Sequence, residues 1–158
     1  MMNDFSLTIL DAFGERRRPI SIIESKQLSD HEIAEFSAFG SLSWNEVNGD
    51  LWHQHFDIVS FLSPEAFCYF LPGVLKASFE ENEPNLIVVS SIINMLDRSA
   101  QPEWWDEFFL ARWSLLTIPE GEVIQAWLFW LSTLKNRSYS DESLERASMT
   151  LSLLKNNT

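Results

Sequence analysis

A pair of histidines followed by a carboxylate is the pattern in this chain that most resembles a site for chemistry. His53, His55 and Asp57 follow Trp52 in a stretch without a clear helical spacing. On an extended segment, the two imidazoles of an H-x-H pair face the same side and can bind one metal ion. A zinc or iron site needs further ligands, and we identify no second ligand cluster in the sequence. We therefore predict no metal site and interpret these side chains as loop histidines.

Other catalytic patterns are lacking. The sequence has no nucleophile elbow, phosphate-binding loop, dinucleotide fingerprint, H-E-x-x-H or C-x-x-C, and its five glycines do not cluster. Cys68 lies in an apolar stretch, where we expect a small buried side chain rather than a nucleophile. Carboxylate pairs such as Glu103 with Asp106, or Glu80 with Glu83, are more typical of solvated turns than of acid–base catalysis. The sequence therefore predicts no enzymatic activity and no cofactor.

The distribution of charge is the strongest indication of function. The net charge is −12, and residues 27–133 contain sixteen acidic residues against Lys76, Arg98 and Arg112, whereas the two ends together are nearly neutral. Such a surface repels nucleic acid and anionic membranes, so we expect neither as a partner. A basic protein is the partner that this charge favours. The alternative is that the acidic residues serve only solubility.

Two acidic segments are candidates for binding a basic protein. The later one follows a proline-containing loop and combines tryptophans with carboxylates, and the earlier one is an acidic turn that could lie nearby. Protein interfaces draw much of their energy from a few aromatic residues and much of their association rate from charge. The alternative is that one of the two adjacent tryptophans belongs to the core. The candidate residues are Glu80, Glu81 and Glu83 in the turn, and Glu103, Trp104, Trp105, Asp106 and Glu107 in the later segment.

We expect a soluble, cytoplasmic protein that is a monomer or a weak dimer. Cys68 is the single cysteine, so the chain forms no intrachain disulfide. The first thirteen residues include Asp4 and Asp11 but no lysine or arginine, which is not typical of a secretory signal. The longest uncharged runs, such as residues 66–75, are shorter than the ~20 residues that cross a bilayer.

The most apolar helical pattern lies near the middle of the chain. Ser63 is a good N-cap, and Pro64 suits the first turn of a helix. Between Ala66 and Leu71 no side chain is charged, so this helix has no face for water and belongs at the centre of a bundle. Pro72 lacks a backbone donor and should end or kink the helix, before a continuation to Phe79.

The other predicted helices follow from capping residues and from apolar residues three or four positions apart. They span residues 4–13, 30–39, 86–96, 103–109, 117–134 and 141 onwards, with capping boxes at Ser29–Glu32 and Thr117–Glu120. The remaining segments are a loop over 41–60 with a helical turn near Trp44–Val47, a solvated turn at Arg16–Arg18 and an extended stretch at Ile20–Ile23. We predict a mainly α fold, a compact single-domain helical bundle of residues 1–158 around the buried central helix.

The same spacing predicts which side chains face the core and which charges pair. We expect Leu10 in the first helix and Ile33 in the second to point inward. In the last helix, Glu142 and Arg146 are four residues apart, so we expect them to form an ion pair.

The segment Phe61–Pro72, with the sequence FLSPEAFCYFLP, resembles the most recognisable part of a family of small bacterial domains that share an LSPEAFxxxLP motif. Similar segments flank it, with Trp and His-Asp-like residues at Trp52–Asp57 and a Trp- and Leu-rich segment at Arg112–Glu120. The resemblance covers residues 44–134 and implies a compact helical domain without an established active site. Some small acidic domains are immunity proteins encoded beside bacterial toxins, and this chain is similar to them in size and charge.

Two hypotheses about function follow. The first is an immunity protein that binds and neutralises a cognate bacterial toxin, a basic nuclease whose nucleic-acid cleft attracts carboxylates. The second is a small enzyme or ligand-binding domain with a pocket lined by Trp52, His53 and His55. A toxin gene beside this one favours the first hypothesis, and a metal or metabolite retained on purification favours the second.

Overall fold

The computed structural model of the protein describes residues 4–20, 22 and 29–156. Within these ranges the chain forms eight α-helices and three short 3₁₀ helices, without a β-strand, which confirms the predicted mainly α fold. The 3₁₀ helices span Trp44–Glu46, Phe56–Ser60 and Pro102–Trp104. The α-helices are α1 (Asp4–Phe13), α2 (Asp30–Phe39), α3 (Gly49–Gln54), α4 (Pro64–Glu80), α5 (Ile87–Leu96), α6 (Glu107–Trp113), α7 (Ile118–Ser132) and α8 (Asp141–Asn156).

Helix α4 is the buried central helix. It begins as predicted, because the Ser63 hydroxyl accepts a hydrogen bond from the Ala66 amide and Pro64 occupies the first turn. Twelve of its seventeen residues are buried, and Phe67 and Phe70 have no exposed surface. Helices α1, α3, α5 and α6 pack around it. Burial on all sides, rather than along one stripe, therefore stabilises this helix.

Helix α4 runs without interruption through Pro72 to Glu80, so the proline does not end it. A proline inside a helix costs about 3 kcal/mol, and burial of the residues on both sides offsets this cost. The next residue, Gly73, permits a close approach of another segment. A Cβ at this position would lie 2.8 Å from the Trp44 carbonyl oxygen and 3.3 Å from the Trp52 ring. The glycine thus lets the first 3₁₀ helix pack directly against the backbone of α4.

The stretch 41–60, predicted as a loop, contains more helix than its sequence indicates. The predicted turn is confirmed as the 3₁₀ helix Trp44–Glu46, but α3 and the 3₁₀ helix Phe56–Ser60 were not predicted. Asn48 caps α3, because its side chain accepts a hydrogen bond from the Leu51 amide at 2.9 Å. Both unpredicted helices have only five or six residues, so neither repeats its apolar positions often enough to show a helical period.

The arginines after α1 do not form the predicted solvated turn. The Arg16 guanidinium donates hydrogen bonds to both carboxylate oxygens of Glu120, at 2.8 and 2.6 Å. The Arg18 guanidinium donates to three backbone carbonyl oxygens at and just beyond the end of α2, whereas Arg17 is exposed. Two of the three arginines therefore join distant parts of the chain. The predicted extended stretch Ile20–Ile23 lies largely outside the described residues.

Two predicted core positions and one predicted ion pair are wrong. Leu10 and Ile33 are 41% and 51% exposed, since α1 and α2 lie at the edge of the bundle and bury a narrower stripe than their apolar spacing indicates. Arg146 pairs with Asp97 at the end of α5 instead of with Glu142, and its Nη2 lies 3.0 Å from Oδ2. The close packing of α5 against α8 brings this carboxylate within reach.

Candidate functional site

The later of the two predicted partner-binding segments folds in two parts. Pro102–Trp104 forms a 3₁₀ helix, and α6 begins only at Glu107. Asp106 is the N-cap of α6, because its Oδ1 accepts a hydrogen bond from the Phe109 amide at 2.8 Å. The helix start that we predicted at Glu103 is therefore wrong, since the Asp106 cap places the first residue of α6 four positions later.

The two adjacent tryptophans of this segment lie in opposite environments. Trp104 is 71% exposed, whereas Trp105 is only 7% exposed. The Trp105 Nε1 donates a hydrogen bond to the Ser99 carbonyl oxygen at 2.9 Å, and its ring packs edge-on against Phe109. Trp105, predicted to bind a partner, is thus a core residue, because the extended backbone between the 3₁₀ helix and α6 turns successive side chains to opposite sides. Trp104 remains at the surface.

The carboxylates of the segment also differ in their partners. Asp106 forms an ion pair with Arg98, with 3.0 Å between Oδ2 and Nη1. Glu103 and Glu107 are exposed and form no ion pair with any residue that the structure describes. Phe108 is 42% exposed. The residues of this segment that offer charge or aromatic surface to a partner, called the 103–108 surface below, are Glu103, Trp104, Glu107 and Phe108.

The acidic turn lies at the C-terminal end of α4, and its three glutamates differ in their contacts. Glu80 ends α4 and pairs with a lysine one turn earlier at 3.5 Å, while the Glu81 carboxylate accepts a hydrogen bond from the Gly49 amide at 2.9 Å. Glu83 is exposed. Helix α6 packs beside the first half of α4, where the Cys68 thiol donates to a carbonyl oxygen of α6. Glu80 lies about 18 Å farther along α4 than this contact.

The predicted pocket of one tryptophan and two histidines does not form. Trp52 is completely buried and packs against Phe39, with 5.3 Å between the ring centroids. His53 is exposed, whereas His55 is half-buried and turns toward α2. The two histidines do not face the same side, because this stretch is helical rather than extended.

His55 instead joins a cluster of titratable side chains that our sequence analysis missed. Its Nδ1 lies 3.1 Å from Oε2 of Glu35, and Nε2 of His31 lies 3.2 Å from Oε1 of the same carboxylate. One donor atom from each of His31, Glu35 and Asp57 lies within 4.8 Å of the other two. The missed signal is the spacing of His31 and Glu35, which are four residues apart and share one face of α2.

Cys68 is buried as predicted. Its side chain has no exposed surface, and burial raises the pKa of the thiol to about 12. At neutral pH the side chain is therefore a thiol, which is the form that does not act as a nucleophile or bind metal.

Comparison with protein-family models, with curated proteins and with solved structures finds no match to the chain. The resemblance of Phe61–Pro72 to a family of bacterial domains therefore stays a prediction. Among the described helices, none is both long and apolar enough to cross a membrane. Two groups of residues are therefore the candidates for a functional role. One is the 103–108 surface, and the other, called the α2 cluster below, consists of His31, Glu35, His55 and Asp57.

Proposed function

We propose that the protein is an immunity protein that binds and neutralises a cognate bacterial toxin, a basic nuclease, through the 103–108 surface. The observation that carries the proposal is the exposure of Trp104, 71% of whose surface faces solvent between two glutamates without an ion-pair partner among the described residues. A large aromatic ring left in water has a free-energy cost that burial in an interface removes.

The arrangement suits a partner with a positive surface. A tryptophan at the centre of an interface supplies binding energy, and carboxylates around it steer a basic partner and speed association. The Asp106 carboxylate contributes less, because Arg98 already neutralises it. With a net charge of −12, the whole chain repels nucleic acid and attracts the basic cleft of a protein that binds nucleic acid.

The acidic turn has a smaller role in this proposal. Glu80 and Glu81 already have partners, and the turn lies at the far end of α4. We therefore expect Glu80, Glu81 and Glu83 to add to the long-range attraction without contacting the toxin, and we expect the complex to contain one copy of this chain. Attraction of this kind decays over a Debye length of about 8 Å at physiological salt.

The alternative function, a ligand-binding domain or enzyme near His55, is favoured by a different observation. The Glu35 carboxylate lies between two imidazoles, an arrangement that can bind a cation. Trp52 and His53 have no part in it. Because Cys68 is a buried thiol with a raised pKa, we propose no nucleophilic catalysis at this residue.

The proposed function is tested with the toxin encoded beside the gene of this protein, by measuring association and dissociation rates at several salt concentrations. Trp104→Ala should weaken binding at least tenfold, mainly through faster dissociation, because it removes the aromatic anchor. Joint replacement of Glu103 and Glu107 by Gln should slow association and flatten its salt dependence.

Phe129→Ala is the matched control for the tryptophan variant. Phe129 lies on α7 and is also 71% exposed, so its removal should leave both rates unchanged. All variants should keep the wild-type melting temperature, because exposed side chains contribute little to stability. Wild-type binding by Trp104→Ala would move the interface elsewhere. Failure of the wild-type protein to bind the toxin or to protect cells from it would overturn the immunity function.

A further inference from the structure

Glu35 is a buried carboxylate in an unusual environment. Its side chain is only 4% exposed, and it lies on the face of α2 that packs toward the 3₁₀ helix Phe56–Ser60. Its Oε2 and the Nδ1 of His55 are 3.1 Å apart, but neither atom makes a well-aligned hydrogen bond with any residue that the structure describes. A buried charge costs several kcal/mol unless it is paired and hydrogen-bonded. The described residues therefore leave the Glu35 carboxylate able to bind a cation.

The donors around Glu35 have the chemistry and the spacing of a metal site. We propose that His31, Glu35 and Asp57 bind one divalent transition-metal ion. Their donor atoms lie within 4.8 Å of one another, and His31 Nε2 is 3.2 Å from Glu35 Oε1. Two ligands of a tetrahedral zinc ion, each about 2.1 Å from the metal, are about 3.4 Å apart. The histidine and the glutamate already have this separation.

Asp57 is the third ligand and belongs to a different element of the fold. It lies on the 3₁₀ helix Phe56–Ser60, so the ion would join this helix to α2. The His31 side chain is 74% exposed, so no packing prevents a shift that brings it into closer coordination. Two carboxylates also balance the two positive charges of the ion. Three protein ligands leave a coordination position for water.

His55 has a different role, that of a positioning residue. Its Nδ1 faces the Glu35 oxygen that His31 does not contact. Side chains that hold a ligating carboxylate by its second oxygen fix its orientation toward the metal. His55 is half-buried, and its ring packs edge-on against Phe39 in the core, which keeps the imidazole in place.

The ligand types favour a transition metal over magnesium or calcium. An imidazole nitrogen suits Zn²⁺, Fe²⁺, Ni²⁺ and Cu²⁺, whereas Mg²⁺ and Ca²⁺ prefer oxygen ligands. Zn²⁺ binding should therefore be at least tenfold tighter than Mg²⁺ binding. Because the ion connects two elements of the native state, it should also raise the melting temperature in a concentration-dependent manner.

The test is calorimetric titration of the full chain with ZnCl₂ after treatment with EDTA and removal of the chelator. The wild type should bind one Zn²⁺ per chain. His31→Gln and Glu35→Gln should each weaken binding at least tenfold and abolish the zinc-dependent rise in melting temperature. His53→Gln is the matched control: His53 is exposed and outside the cluster, so this variant should bind Zn²⁺ as the wild type does.

His55→Gln tests the positioning role. It should weaken Zn²⁺ binding without altering the visible absorption bands of the bound Co²⁺ form, because it removes no ligand. A lower melting temperature of the metal-free variant with unchanged Zn²⁺ affinity would assign His55 a structural role alone.

Two results would overturn the metal site. One is the absence of stoichiometric Zn²⁺ binding by the wild type, and the other is wild-type affinity in His31→Gln. The second result decides the question even where Glu35→Gln does not fold, because His31 is at the surface. Neither measurement involves a toxin, so the metal site and the immunity function can fail independently.

Discussion

Two glutamates, Glu120 and Glu35, are almost equally buried, at 2% and 3% exposure, yet their partners differ. The Glu120 carboxylate accepts two hydrogen bonds from Arg16 and a third from the Thr117 amide at 2.8 Å. Glu120 in turn stabilises the charged form of Arg16, since the hydrogen bond between them is the main cause that raises the pKa of Arg16. Around Glu35 the only close charge partners described are two imidazoles, which are positive only when protonated.

The difference separates a structural carboxylate from one that is available to a ligand. Glu120 closes a capping box and joins the segment after α1 to the start of α7, so each of its oxygens has a fixed donor. Such a pair holds the native arrangement, because breaking it leaves a buried charge. Glu35 has no equivalent function within the described fold. Polar groups kept in the core without full compensation are typical of binding sites.

The largest expected effect is on the labelling rate of Cys68, which reports whether solvent reaches the region around the Arg16–Glu120 pair. Cys68 lies close enough for Arg16 and Glu120 to influence the pKa of its thiol, which burial raises to about 12. A rise of about three units from an ordinary thiol lowers the thiolate fraction about a thousandfold at pH 8. Labelling of Cys68 by a thiol reagent at pH 8 should therefore be at least about a thousandfold slower in the native protein than in urea.

Arg16→Gln removes a positive charge that lowers the pKa of the Cys68 thiol, which by itself slows labelling. It also breaks the contact between α7 and the segment after α1, and we expect the resulting exposure of Cys68 to dominate and to speed labelling. Rapid labelling of the native wild type, at the rate of the unfolded chain, would show that this side of the bundle is open. Glu120 would then not be held in a closed structural contact, and it would no longer differ from Glu35 in the way described above.

The next effect is on stability. Arg16→Gln leaves the Glu120 charge buried without its cation, and we expect the free energy of unfolding to fall by about 3 kcal/mol. Arg17→Gln is the control, because Arg17 is adjacent and exposed, and its loss should change stability by less than about 0.5 kcal/mol. Urea denaturation followed by circular dichroism measures both. Equal effects of the two variants would contradict a structural role for the Arg16–Glu120 pair.

The smallest effect is expected at the edge of the α2 cluster. His31→Gln in the presence of EDTA should alter the free energy of unfolding by less than about 0.5 kcal/mol, because the imidazole is mostly exposed. The same denaturation experiment checks it. A loss of more than about 2 kcal/mol would make the His31–Glu35 contact a structural ion pair.

The sequence predicted those parts of the fold that depend on neighbouring residues. Both capping boxes, Ser29 with Glu32 and Thr117 with Glu120, are present, and the central helix starts at Ser63 as expected. Each of these signals lies within four residues and acts through the backbone amides of one turn. Long amphipathic helices such as α8 were predictable for the same reason, since their apolar positions repeat over four turns.

Features that depend on distant contacts could not be predicted in this way. Arg16 and Glu120 are 104 residues apart, and nothing in three adjacent arginines indicates which one pairs with this glutamate. The opposite exposures of Trp104 and Trp105 depend on an extended connection that helical spacing does not suggest. In the α2 cluster, the distance between Glu35 and His55 follows only from the packing of α2 against the 3₁₀ helix Phe56–Ser60.

The most direct test of the contrast is urea unfolding of Glu120→Gln and Glu35→Gln side by side in EDTA. Glu120→Gln should lose about 2 kcal/mol or more, because Arg16 loses its anionic partner. Glu35→Gln replaces an incompletely paired buried charge by a neutral amide of the same shape, so it should lose less than about 1 kcal/mol or gain stability. A loss in Glu35→Gln as large as that in Glu120→Gln would contradict the account, because both glutamates would then be structural.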